Sequence, residues 1–266
     1  MTVRRIDMWT RIELKERAKE AFSRCRWIAV AVSLIFAIVS GGGAGMGGYG
    51  NSLGDDKGSD YNIDEINIPK EFVAGLLLAG VVVILLVFIF ATVIRLFVSN
   101  PIEIGARRYF LLALNRDDVN FREIAYSFSN GYIDGVVTMF LRDIYIFLWS
   151  LLLIVPGIIK AYEYRMVPYI IAENPNIDRN RAFELSKMMM EGEKWDTFVL
   201  DLSFIPWNIL SAITLGLVGI FYTLPYYNFT HAAQYEALRD NLINNDPKVS
   251  MEIRGYMDVE YTKETI

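Results

Sequence analysis

Residues 72–94 read FVAGLLLAGVVVILLVFIFATVI, 23 positions without one charged side chain. At a rise of about 1.5 Å per residue, such a helix measures about 35 Å, enough to cross a hydrocarbon core of about 30 Å. A soluble core helix has no use for a run of that length. The sequence therefore predicts an all-α, polytopic membrane protein, and the surrounding chain is read on that basis.

Working outward, the apolar residues, 53% of the chain, are gathered into blocks rather than dispersed. Six spans are predicted, at about 27–46, 72–98, 135–155, 158–172, 197–214 and 220–238, within one transmembrane domain covering 27–240. Residues 135–172 would make a helix of about 57 Å if continuous, so a turn is placed at Pro156-Gly157. Asn100-Pro101 and Asn174-Pro175 are read as stops, because proline disfavours helical geometry in the residue before it. A second break is expected at Gly216–Gly219.

Charge sets the orientation. The first 26 residues carry eight Lys/Arg and four acidic side chains, on a partly amphipathic helix suited to the inner leaflet. Residues 49–71 carry six acidic groups and only Lys57 and Lys70. Arg107, Arg108, Arg116 and Arg122 fall in one predicted loop, and Arg179, Arg181, Lys187 and Lys194 in another. Six spans put both clusters and both termini on the cytoplasmic side, whereas four spans would put the second cluster outside. Surface helices are expected at 101–114 and 121–128, and from Asp178 to about Glu191. The polar tail, 241–266, is expected to be poorly ordered. The basic start, apolar run and small residues at 40–44 also fit the outline of a cleaved signal peptide; the long basic helix favours an uncleaved span.

Two stretches match each other. Phe140, Asp143, Trp149 and Leu152 recur at identical spacing as Phe198, Asp201, Trp207 and Leu210. Three units are proposed, each a surface helix followed by a transmembrane hairpin. The glycines at 41, 43, 45 and 47 stand four apart in two pairs, a spacing that lets helix backbones approach.

The candidate site is a polar cluster inside the membrane: Arg142, Asp143 and Asp201, with Glu163, Arg165 and His231 as further members and Arg95 beside them. A charge at the centre of an isolated span costs roughly 2.5–3.5 kcal/mol, so these groups are expected to face the bundle interior. Arg142 is expected to pair with Asp201, because the adjacent Arg142 and Asp143 point about 100° apart. Such a cluster serves either a proton or substrate path or the register of the helices.

Other chemistry finds no footing. Cys25 is the single cysteine, so no internal disulfide forms. His231 is the single histidine and has no second ligand at helical spacing. No nucleophile–base pair, phosphate loop or zinc motif is present, and no catalytic residue, cofactor or metal is assigned. The expected partners are membrane lipids and other membrane proteins, with no nucleic acid; the oligomeric state is not legible.

Tyr169-Ile-Ile-Ala-Glu-Asn-Pro175, then Ala182, Ser186, Met189-Met190, Gly192 and Lys194, then Phe198, Leu200, Leu202, Ile205 and Trp207, then Thr214, Gly216 and Pro225-Tyr226 resemble one bacterial integral-membrane family, the domain of unknown function 975. The resemblance covers most of residues 10–243. It implies the membrane architecture and no ligand-binding or catalytic residue. The functions expected are, in order, a non-enzymatic organiser or regulator of membrane partners, a small transporter or permease component with a polar site between hairpins two and three, and an intramembrane enzyme.

Overall fold

The computed structural model describes residues 9–39 and 70–253, and every regular element among them is helical. The glycine-rich run after Ser40, the acidic loop and the last residues of the tail lie outside the described residues.

The element α1, Arg11–Arg24, starts where Thr10 accepts the Glu13 N–H. Its stripe of Leu14, Ala18, Ala21 and Phe22 is buried against protein, on α12 (Leu224–Asn245), and not against lipid. This corrects the expectation of a helix on the membrane surface: tertiary packing takes those four side chains and leaves only Ile12 of the apolar residues in the helix exposed. After a break at Cys25, α2 (Arg26–Val39) packs on α4 (Asn100–Asn115) and α12.

The second span does not stop at Asn100-Pro101. α3, Lys70–Ile94, passes through a π turn, Arg95–Ser99, straight into α4. The Pro101 ring cannot donate to Phe97 O, and the Tyr132 hydroxyl takes that carbonyl at 2.9 Å. α4 is no surface helix either. Tyr109, Phe110 and Ala113 are buried, in a helix that packs on α12 and α8 (Val167–Glu173) among others.

The short turn Phe121–Ala125 and α5, Tyr126–Ser129, lead into α6, Tyr132–Leu152. The hairpin turns at Leu153, whose φ of −159° and ψ of 144° are extended, and not at Pro156-Gly157. Pro156 instead sits in the first turn of α7, Ile154–Glu163, where its missing N–H costs no bond. Gly157 lets the arms touch: a Cβ there would lie 2.6 Å from Ser150 Cα.

Spans 158–172 and 197–214 are each two helices. α7 gives way to α8 near Arg165, and α10 (Lys194–Leu202) to α11 (Ile205–Ile213) at Ser203-Phe204. Pro168 and Pro206 follow each bend and cannot bond back four residues. Between α8 and α10 lies α9, Arg179–Met189, capped by Asp178 as expected. Leu215 and Gly216 take left-handed φ of 51° and 86° and close the third hairpin. A π turn, Gly219–Thr223, then leads into α12, the central helix. The tail is ordered further than its composition suggests: α13, Val249–Glu252, is held by Arg181 on Glu252 at 2.9 Å.

Among the described residues two helices are long and apolar enough to cross a bilayer, Leu77–Asn115 and Tyr132–Leu152. Every side chain at 77–90 is exposed, and so are Leu151–Val155 at one hairpin tip and Ile213, Leu215 and Leu217 at the other. The apolar core gathers instead where α1, α4, α8, α9 and α12 meet.

Candidate functional site

The six candidate residues fall into three knots, and the expected Arg142–Asp201 pair does not form. In the first knot Arg142, on α6, reaches Glu103 of α4 at 3.3 Å and turns back to Asp143 at 2.9 Å. The stem of the arginine side chain is long enough to overcome the angle of about 100° between adjacent helix positions. Arg95 stands 3.5 Å from the other oxygen of Asp143. Arg107 continues the chain: it lies 3.8 Å from Glu103, donates to the Tyr169 hydroxyl at 3.0 Å and to Asn228 at 3.2 Å, and is sandwiched between the rings of Phe36 and Tyr169.

The second knot is centred on Asp201 of α10. Arg165, at the bend between α7 and α8, grips it with both nitrogens, at 2.6 and 3.0 Å. Such a two-pronged, charge-assisted pair is the strong geometry for arginine and carboxylate. Tyr162 and Tyr227 donate to Asp201 at 2.9 and 3.2 Å. His231 Nε2 stands 3.0 Å from Asp201, and its Nδ1 is 3.2 Å from Gln234, which itself donates to Thr197. Asp201 is thus the point where α7, α10 and α12 are tied together.

The third knot is Glu163, the last residue of α7. Lys160, Lys194 and Lys187 approach it at 2.8, 3.4 and 4.0 Å. The Ser186 hydroxyl donates to its backbone carbonyl at 2.7 Å, locking α9 onto the end of α7.

Sequence reasoning missed Glu103, Arg107, Asn228, Tyr162 and Tyr227 as members of the cluster. It also missed a fourth buried pair, Glu173 with Arg239 at 2.8 Å, to which Tyr235 adds a 2.6 Å bond. Burial pushes the Glu173 carboxyl above its ordinary range, against the pull of Arg239. One signal was available. Tyr227, His231 and Gln234 stand four and three apart, with Tyr235 four past His231, a polar stripe on an otherwise enclosed helix.

Among the described residues no group of three His, Cys, Asp or Glu side chains is placed to hold a metal ion. Chemically, the knots can clamp helices together or relay a proton through Asp201, His231 and the tyrosines.

The family model described as protein of unknown function, DUF975, matches residues 150–242. No curated protein and no solved structure matches the chain. The matched stretch runs from the tip of the second hairpin to the last turn of α12 and contains the Glu163 and Asp201 knots whole. Over those residues the chain is similar to DUF975, the family its Tyr169–Pro175 and Met189–Lys194 motifs resemble.

Proposed function

We propose that this protein is a non-enzymatic component of the bacterial cytoplasmic membrane that organises or regulates partner membrane proteins. In this reading six helical arms, paired as three hairpins, meet the lipid, and both termini lie in the cytoplasm. The exposed apolar surfaces of α3 and of the hairpin tips support the membrane placement. The basic clusters support the orientation.

One observation carries the non-enzymatic reading. Each of Arg142, Asp143, Glu163, Arg165, Asp201 and His231 is engaged by another side chain of the same protein. Groups held this way fix helix positions. Breaking one partner of a buried pair is costly, while replacing both by apolar groups is often tolerated.

The transporter reading rests on a different feature, the Asp201–His231–Tyr227 cluster at the junction of two matched hairpins, since substrate sites often lie at repeat interfaces. The test separates the two. The purified protein is reconstituted in vesicles and proton flux is followed with a pH-sensitive dye, alongside Asp201→Asn. The organiser reading expects flux equal to that of empty vesicles for both proteins. It also expects a defined membrane protein to co-purify in fixed ratio from native membranes. A flux that disappears in Asp201→Asn would overturn it in favour of transport.

A further inference from the structure

Hairpins two and three end in apolar tips. Leu151, Leu153 and Ile154 in one, and Ile213, Leu215 and Leu217 in the other, turn their side chains outward. Their reach can be measured from the Glu163 knot. Lys187, which approaches Glu163, belongs to α9, and the outer face of α9 carries Glu184 and Lys187 with side chains 60% and 50% exposed. A face of that kind belongs in water, because charged groups turned toward lipid are expensive. The layer holding Glu163, Lys187 and Lys194 therefore lies at or outside the hydrocarbon boundary.

From Glu163 back to the turn at Leu153 is ten residues, about 15 Å of helix, against a core of about 30 Å. Lysine stems stretching toward water add only a few ångströms to that reach. The outgoing arm agrees: α6 continues nine residues past Asp143. Hairpin three has the same depth. Asp201 is tied to Tyr162 and Arg165, which flank Glu163 closely in sequence, and above the bend at Ser203-Phe204 the nine residues of α11 rise about 14 Å.

The turns are equipped to sit in hydrocarbon, where unpaired backbone groups are not tolerated. Leu153 N–H donates to Trp149 O, Gly216 N–H to Ser211 O and Leu217 N–H to Thr214 O. Pro156 has no N–H to leave unpaired. Ser150 and Thr214 donate their hydroxyls to Ile146 O and Leu210 O.

We infer that hairpins two and three are single-leaflet wedges that enter from the cytoplasmic side and turn back near the bilayer midplane, with the acyl chains of that one leaflet as their partner. This deepens the membrane reading and rests on it. It replaces four full crossings by two half-depth insertions.

Single cysteines are placed at Leu153, Leu217 and, in α3, Ile84, each in a Cys25→Ser background. Leu151→Cys serves as a second reporter should Leu153→Cys fail to fold. Each is spin-labelled in vesicles of phosphatidylethanolamine and phosphatidylglycerol, and depth is read from collision with oxygen against a water-soluble nickel chelate. The wedge expects both tip labels about 15 Å deep, oxygen-rich and nickel-poor. It also expects no reaction with an impermeant maleimide from either side. A tip label in water, with Ile84 still in lipid, overturns the wedge and leaves the membrane reading standing. Water contact at Ile84 as well overturns the membrane reading itself.

Discussion

The two matched hairpins close on the same device with different tolerances, and this yields a quantitative contrast. In hairpin two, a methyl group on Gly157 would run into the Ser150 hydroxyl oxygen and lie 2.6 Å from Ser150 Cα and 2.8 Å from its Cβ. Backbone cannot rotate away, so the arms must separate. Overpacking of this kind costs about 1–3 kcal/mol, and the gain in helix propensity from Gly to Ala returns at most about 1 kcal/mol. Gly157→Ala is therefore expected to lose on the order of 2 kcal/mol, or about 4–8 °C in Tm at this chain length. In hairpin three, a methyl on Gly219 meets only the Ser211 hydroxyl closely, and Ser211 Cβ lies 3.3 Å away. A hydroxyl can rotate or be deleted. Gly219→Ala should cost less than half as much, and Ser211→Ala should restore it, whereas Ser150→Ala should not rescue Gly157→Ala. The assay is thermal unfolding of the purified protein in detergent, followed by intrinsic fluorescence. Equal losses at the two glycines, or rescue of Gly157→Ala by Ser150→Ala, would refute the argument that hairpin two is closed by backbone contact.

The remaining expectations concern the charges. Asp201→Leu alone should destabilise by on the order of 3 kcal/mol, and the double change Asp201→Leu with Arg165→Met should recover most of that, because the single change strands a partly buried guanidinium; unfolding midpoints of the four proteins in a mutant cycle decide it. Arg142 and Arg107 both reach Glu103, so Glu103→Gln, which leaves two enclosed guanidinium groups short of a carboxylate, should lower the unfolding midpoint; an unchanged midpoint contradicts the assignment. Burial raises the Cys25 thiol, which also donates to Ala21 O at 3.2 Å, so maleimide should label the folded protein at pH 7 more slowly than the denatured one; equal rates would show the thiol to be free.

How much of this could be read in advance depends on the distance over which each feature is decided. The all-helical class, the Asp178 cap that starts α9 and the glycine break before α12 are decided within a few residues, and all are legible. The stops at Asn100-Pro101 and Pro156-Gly157 were misplaced for one reason. Proline was read as ending a helix, but a proline in a first turn loses no bond, and at Pro101 the bond it does forgo is replaced by Tyr132, thirty-one residues further along the chain. α4 looked like a surface helix because Glu103, Arg107 and Arg108 are charged. It is buried because their partners come from α6, from the turn before α5 and from α12, none of which its own sequence reveals. The choice of Arg165 over Arg142 for Asp201 was beyond reach on the same grounds, since it is made by the bends at Tyr164–Met166 and Ser203-Phe204.

The repeat itself bears on what the charges do. Asp143 and Asp201 occupy the same place in the two matched blocks, yet their surroundings share nothing. Asp143 is held by Arg142 and Arg95, while Asp201 is held by Arg165, two tyrosines and His231. A relay or a substrate site copied by duplication would repeat its partners, because the chemistry resides in them. What recurs instead is position: each aspartate stands at the base of an apolar arm, nine residues to Leu152 in one and twelve, across the bend, to Ile213 in the other, with a tryptophan six residues further on, Trp149 against Lys160 and Trp207 against Tyr222. A charge that recurs in depth and not in company acts as a floor. It cannot follow the arm into hydrocarbon without several kcal/mol of desolvation, and the body beneath it offers whichever cation lies nearest. On this argument the aspartates set how far each hairpin sinks, and changing the partner should matter less than moving the charge by one helical turn.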